Sequence, residues 1–219
     1  MAMQPAEVGK TLVQCDFDGT ISEEDVSFVL LDTFANGNWR ELLEEYKQGR
    51  ISVGDFNTRA FAMVKADRQR LLKVVEGSAR IRAGLGELLT CCRRKGFRFV
   101  IVSNGLDFYI KAILRRMGLR ELEVFAARAE FRPEGMKVEY RGPDGNCLDD
   151  GFKEAYTNSF LASGYRIIYV GNGVSDIIPV RLAHHIFATG ELLAYCKEMD
   201  LAHTPFVDLN DVARGLKLL

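Results

Sequence analysis

Thr11-Leu12-Val13-Gln14-Cys15-Asp16-Phe17-Asp18-Gly19-Thr20 decides the reading of this chain. A short β-prone run stops abruptly at an acid, and a second acid and a Gly-Thr turn follow at once. Residues 97–103, 166–171 and 185–189 have the same apolar character, as expected of strands buried on both faces of a parallel sheet. Between these runs apolar residues recur at helical spacing over 81–95, 108–117, 149–163, 175–183 and 191–199. Strand alternating with helix predicts an α/β fold, a doubly wound, Rossmann-like parallel sheet with helices on both faces. Ligands of such sheets bind outside the carboxyl ends of the strands, so Asp16 and Asp18 fall at the expected crevice, on a solvent-facing strand end. At i, i+2 in extended chain their carboxylates point to the same side. Such a pair can divide labour between a nucleophile and a general acid/base. The bland reading is a solvated turn, since Asp and Gly both favour turns. Four fixed residues at ordinary usage would arise by chance somewhere in the chain in about 1% of cases or fewer.

Residues 22–78 break the alternation. Helical spacing recurs near 24–34, 39–48, 52–64 and 67–76 with no strand between, which predicts a helical cap inserted after the first strand. The core then comprises 1–21 and 79–219. Residues 123–141 alternate in β fashion on either side of Pro133-Glu134-Gly135, predicting a small hairpin.

Composition narrows the function class. The 219 residues are 47% hydrophobic and 27% charged, which suits a folded domain and not a disordered one. Lys plus Arg (29) balance Asp plus Glu (30), and a net charge of −1 supplies no field for a polyphosphate backbone. Nucleic acid is therefore not an expected partner. No apolar run approaches the roughly 20 residues of a membrane span, so no membrane is expected either. Five cysteines, odd in number and without a C-x-x-C pair, fit reduced thiols in the cytoplasm. Residues 1–10 show no apolar core with a cleavage site, so export is not expected. Oligomeric state leaves no signal in the sequence.

The other strand ends supply further candidates. Ser103-Asn104-Gly105 offers a hydroxyl and glycine-permitted amides that, opening a helix, could hold phosphate oxygens. Gly171-Asn172-Gly173-Val174-Ser175-Asp176 brings an amide oxygen and a carboxylate to the same crevice. Lys153 sits near the start of its helix. Trp39, Phe56, Phe61 and Met63 read as cap core more than substrate wall, and His184, His185 and His203 read as structural.

Taken in chain order, 16–20, Ser103, Lys153 and 172–176 resemble the four motifs of the haloacid dehalogenase superfamily of aspartyl-phosphate phosphotransferases. The helical insert is similar to the cap of its phosphoserine phosphatase-like branch. Near the C-terminus Leu192-Leu193, Cys196, Leu201, His203, Pro205-Phe206 and Asp208-Leu209 resemble the tail of phosphatases that act on 2-hydroxy-3-keto-5-methylthiopentenyl-1-phosphate. The resemblance implies that Asp16 attacks phosphorus, that Asp18 is the general acid and base, and that Ser103, Asn104 and Lys153 hold the phosphate. It also implies a Mg²⁺ cofactor on Asp16, the Asp18 backbone carbonyl and Asn172, with Asp176 behind it, and a small phosphorylated metabolite as substrate. Two departures matter. The family usually has Asp where this chain has Asn172, which weakens attraction for Mg²⁺ and leaves open a catalytically silent phosphate sensor. In the phosphoserine branch an acidic cap residue and a cap arginine hold the amino-acid moiety; Asp25 matches the acid, while Arg59 is one position off the arginine. At least one of the two is expected to contact the leaving group. A phosphotransferase or mutase of the same fold is the third reading. Asn172-Gly173 is also a pair whose backbone permits deamidation.

Overall fold

The strand β1 (Thr11–Cys15) pairs in parallel with β2 (Arg98–Leu106) on one side and β6 (Arg166–Gly171) on the other. The structure, a computed structural model, describes residues 10–219, so all of the 1–10 segment but Lys10 lies outside the described residues. Among these the sheet has eight strands, adding β3 (Glu123–Arg132), β4 (Gly135–Arg141), β5 (Cys147–Leu148), β7 (His185–Ala188) and β8 (Thr204–Pro205) in the order β5-β4-β3-β2-β1-β6-β7-β8. Of these eight strands only β4 runs against the common direction, antiparallel to β3 and β5, as the hairpin expected over 123–141 requires. Leu12, Val13 and Cys15 are wholly buried, which is why β1 reads as an unbroken β-prone run. Gln14, the polar exception, is buried too. Its amide oxygen accepts from Thr157 Oγ1 at 3.0 Å and its amide nitrogen donates to the Lys153 carbonyl at 3.4 Å. The central strand thereby holds the first turn of α7 (Phe152–Ala162), and with it Lys153.

Helices α5 (Leu85–Lys95), α6 (Asp107–Arg116), α9 (Gly190–Glu198) and α10 (Leu209–Leu216) complete the doubly wound layers, with α8 (Ile177–Val180) as a single short turn. Capping fixes several starts: Asp208 accepts from the Asn210 and Asp211 amides while the Asp211 carboxylate accepts from the Asp208 amide, a capping box that opens α10. A smaller cluster of Tyr169, Val180, Ile186, Ala188, Leu192 and Cys196 packs beside the main core.

Between β1 and α5 the chain forms α1 (Val26–Phe34), α2 (Trp39–Lys47), α3 (Val53–Ala62) and α4 (Arg68–Ser78), with no strand among them. It leaves and returns through one narrow neck. Ser22 and Ile81 form an antiparallel bridge, flanked by Arg82 N to Ile21 O at 2.8 Å and Glu23 N to Arg80 O at 2.9 Å. Trp39, Phe56 and Phe61 are buried within this layer, as the sequence suggests. No helix of the described residues is long and apolar enough to cross a membrane. His184, His185 and His203 each bond a nearby strand or loop atom, in keeping with structural roles.

Candidate active site

The two acids follow the last residue of β1 and line one cleft of about 500 Å³ between the sheet and the helical layer. Asp16 N donates to Val170 O at 2.9 Å, continuing the β1–β6 pairing, and the chain then coils so that the Phe17 carbonyl takes the amides of Thr20, Ile21 and Ser22. Gly19 is in the left-handed region at φ 73°, and a Cβ there would lie 2.2 Å from Asn172 Nδ2. Glycine thus lets the first loop meet the loop after β6. Thr20 Oγ1 donates to Asn172 Oδ1 across that contact at 2.9 Å.

Asp16 is 5% exposed, against the solvent-facing position expected from the sequence. Lys153 accounts for the difference. Its Nζ, from the first turn of α7, lies 2.8 Å from Asp16 Oδ1 and 2.7 Å from Asp176 Oδ1, and donates to Ser175 Oγ at 3.1 Å. Burial alone would push the Lys153 ammonium toward neutrality, but Asp16 and Asp176 outweigh it and hold the charge. Burial pushes the Asp16 carboxyl up to about 7, Lys153 pulling it back and Asp176 adding to the rise. Asp176 is anchored elsewhere: Oδ2 accepts from the Asn172 and Gly173 amides at 3.0 Å each, and Oδ1 from the Tyr169 hydroxyl at 2.7 Å. It is a strut that holds the 172–176 loop against Lys153. Closing a succinimide at Asn172 would require breaking the Gly173 bond, so the loop opposes the deamidation that the Asn-Gly pair suggests.

Asp18 Oδ1 accepts from Val26 N at 3.0 Å and Oδ2 from the Tyr109 hydroxyl. Burial and the charge of Asp25 raise its carboxyl well above the usual range. Ser103 and Asn104 line the same cleft, although not as a helix opening. They lie inside β2, whose register against β3 shifts between Ser103 and Leu106. Such a bulge re-aims side chains at a strand end. The Gly105 amide is spent on Ser103 Oγ at 3.0 Å, so what Ser103 offers a ligand is its hydroxyl proton. Asn104 Oδ1 is buried and has no partner among the described residues, an acceptor suited to a donor group on a ligand.

The two cap candidates part company. Asp25 lines the cleft, caps α1 by accepting from Phe28 N at 3.0 Å, and has its carboxyl pushed up to about 6 by burial. Arg59 is exposed, pairs with Glu45 and Asp55, and is not among the cleft-lining residues. Its position on α3 turns it outward while Phe56 and Asn57 turn inward. The cap wall is instead apolar and aromatic. Phe28, Leu43, Tyr46, Val53 and Phe56 line it, with Tyr46 stacked on Phe56 at 5.8 Å and 15°. Phe56 is therefore both cap core and cleft wall. Lys47, the cap cation in the cleft, is engaged with Glu191 of α9 at 3.4 Å.

The sequence model of the haloacid dehalogenase-like hydrolases matches residues 13–178, from β1 through the Asn172–Asp176 loop. The chain belongs to that family. This hydrolase is 29% identical over 211 residues to a 2-hydroxy-3-keto-5-methylthiopentenyl-1-phosphate phosphatase of an Exiguobacterium species, covering 94% of this chain and 97% of the relative. It is 30% identical over 211 residues to the phosphatase of the same description from Geobacillus thermodenitrificans, covering 94% of each. Its fold superposes on a phosphoserine phosphatase solved as a phospho-aspartyl intermediate analogue, with a TM-score of 0.70 at 18% identity over 94% of this chain and 98% of that one. The hydrolase is thus a phosphatase on the α/β architecture expected from its sequence.

Several of the hydrolase's site residues were not legible beforehand. Arg82 donates to the Gly19 carbonyl at 2.8 Å, the Thr20 carbonyl at 2.9 Å and the Val207 carbonyl at 2.8 Å, clamping the first loop from the neck of the insert. Tyr109 and Tyr169, each wholly buried, hold Asp18 and Asp176. A tyrosine hydroxyl in a core segment must find a partner, and that was the available signal.

Proposed function

We propose that this phosphatase hydrolyses a small phosphorylated metabolite in the cytoplasm through an aspartyl-phosphate on Asp16. The observation that carries the reading is the ion line Asp16–Lys153–Asp176 at the end of β1, with Asp18 and Ser103 opening on the same cleft. Asp16 presents a carboxylate whose Oδ1 is fixed by Lys153, leaving Oδ2 to attack phosphorus. As that bond forms, the bond to the leaving oxygen breaks and Asp18 gives that oxygen its proton. Water then attacks the phosphoryl group, its proton passes to Asp18, and Asp16 is released. The Ser103 hydroxyl holds a phosphate oxygen throughout, and Lys153, its donors already on Asp16, Asp176 and Ser175, takes a second by exchanging its Ser175 bond for it, a charge and a dipole placed before the reaction begins.

A divalent cation fits this cleft. Asp16, Asp18 and Asp25 all carry carboxyls raised by burial, a cost of ionisation that a bound cation would offset. The hard donors are the Asp16 carboxylate, the Asp18 backbone carbonyl and Asn172 Oδ1, a set that suits Mg²⁺ with waters retained. Among the described residues no three Asp, Glu, His or Cys side chains converge as a metal group, so Asn172 is the weak member. When bound, Mg²⁺ would neutralise charge on the phosphate. The Asn172→Asp variant should reach half-maximal activity at a severalfold lower Mg²⁺ concentration and gain more melting temperature on Mg²⁺ addition than the parent. Peptide mass spectrometry across the loop checks that the parent still carries Asn172. Identical metal curves for fully amidated parent and variant would show that the missing charge is irrelevant. The silent-sensor reading rests on Asn172 alone, whereas Asp16, Asp18, Ser103, Lys153 and Asp176 are all assembled.

For the substrate, the cap favours an uncharged, apolar leaving group. With Arg59 outside the cleft, Lys47 facing Glu191 and the Arg82 guanidinium committed to the Gly19, Thr20 and Val207 carbonyls, a substrate carboxylate would find little to answer it, while Phe28, Leu43, Tyr46 and Phe56 offer apolar surface. The substrate named for the relatives, 2-hydroxy-3-keto-5-methylthiopentenyl-1-phosphate, combines such a chain with a hydroxyl that the unpartnered Asn104 Oδ1 could accept. A phosphate-release screen with Mg²⁺ should therefore rank monoesters with apolar, uncharged leaving groups about tenfold or more in kcat/KM above phosphoserine. Preference for phosphoserine would contradict this account of the cap.

A further inference from the structure

We propose that Tyr109 is the positioning residue of the general acid, locking the Asp18 carboxyl between the core and the helical insert. The inference rests on the hydrolase reading above and concerns how its proton donor is aimed. Tyr109 lies on α6, more than ninety residues from Asp18 in sequence, and is wholly buried beside Phe17 and Phe108. Its hydroxyl donates to Asp18 Oδ2 and meets Ser27 Oγ at 2.8 Å. Since the tyrosine proton goes to Asp18, the serine proton goes to the tyrosine oxygen, and the polar chain runs Ser27 to Tyr109 to Asp18. Val26 N holds the other carboxyl oxygen, so both are fixed, one from the core and one from the first turn of α1.

Gly105 is the independent observation. Its φ is not in the left-handed region, so the backbone does not demand glycine there. The space does. A Cβ on Gly105 would lie 2.0 Å from the Tyr109 hydroxyl oxygen and 2.2 Å from Asp18 Oδ2, so the missing side chain is the room in which these two groups meet. The bulge in β2 that aims Ser103 at the cleft therefore also leaves a cradle for this pair. Tyr109 keeps its own proton throughout. Asp18 loses a proton to the leaving oxygen as the phosphorus–oxygen bond breaks, and the resulting carboxylate keeps the tyrosine hydroxyl as donor. Water returns the proton to Asp18 when it attacks the phosphoryl group. Because Ser27 and Val26 belong to the insert, the acid is fully aimed only when that layer sits against the core.

Leaving-group dependence separates this role from a merely structural one. An alkyl phosphate needs its leaving oxygen protonated, whereas p-nitrophenolate departs without a proton. Tyr109→Phe should lower kcat/KM for an alkyl phosphate about tenfold or more while changing that for p-nitrophenyl phosphate less than about threefold, both measured with Mg²⁺. Ser27→Ala and Gly105→Ala should show the same selective loss, and they carry the test if Tyr109→Phe does not fold. Equal losses on both substrates, or no loss on either, would overturn the assignment of Tyr109 and leave the hydrolase reading standing. A parent protein that releases phosphate from neither substrate would overturn the hydrolase reading and the role of Tyr109 with it.

Discussion

Asp16→Asn is expected to lower kcat by about a thousandfold or more while the protein still folds. The substitution removes the only group at the end of β1 whose free oxygen can form the bond to phosphorus, and no neighbour replaces it. Ser103 Oγ is occupied by the Gly105 amide, and Asp18 is held by Val26 and Tyr109. The fold should tolerate the change. Burial already raises the Asp16 carboxyl to about 7, so a neutral amide of the same shape relieves a desolvated charge, and Lys153 keeps Asp176 as its partner. Phosphate release with the best substrate and a thermal melt measure the two halves. Activity at about a tenth of the parent or more would rule out Asp16 as the nucleophile.

Lys153→Met should cost both activity and stability, the latter by about 3–5 kcal/mol near neutral pH, because it strands Asp16 and Asp176 in the interior. Asp176 retains the Tyr169 hydroxyl and two amides, so Asp16 bears most of the loss. The sign of the pH dependence follows. Without the ammonium the Asp16 carboxyl rises above its present value of about 7, while in the unfolded chain it titrates in the usual carboxylate range near 4. The native variant then binds more protons than the unfolded one between those limits, so its stability falls as pH rises through that window. Denaturant melts at pH 5 and pH 8 in metal-free buffer should show a larger deficit against the parent at pH 8. A deficit that is the same at both would mean that the ion line does not hold Asp16.

Where strand and loop were contiguous, the sequence was a good guide to this site. Thr11–Cys15 stands in the sheet as read, and Asp16, Asp18, Ser103 and Asn172 line one cleft because each follows, or lies near, the end of β1 or of a strand beside it, while Lys153 reaches the cleft from the first turn of α7 and Asp176 lies buried behind it. Local pattern carries that information. It failed where three dimensions were needed. β2 runs three residues past its expected end because a bulge, invisible to periodicity, continues the pairing through Leu106. Arg59 and Phe56 are three residues apart on α3, and only packing against α1 and α2 decides which one meets the cleft. Arg82 and Tyr109 act on loops more than sixty residues away, and nothing local in their neighbourhoods announces it. The two-residue β8 and the α10 that follows were also missed. For α10 the signal was present in the Asp208–Asp211 capping box.

The central claim is that phosphate passes through a covalent bond to Asp16. Rapid acid quench of the protein turning over its best substrate with Mg²⁺, followed by peptide mass spectrometry, tests it directly. The expected result is one phosphoryl group on the peptide containing Asp16, removed by hydroxylamine as an acyl phosphate is and absent from Asp16→Asn. A phosphoryl group on Ser103, or turnover with no phosphorylated peptide and full activity in Asp16→Asn, would contradict it.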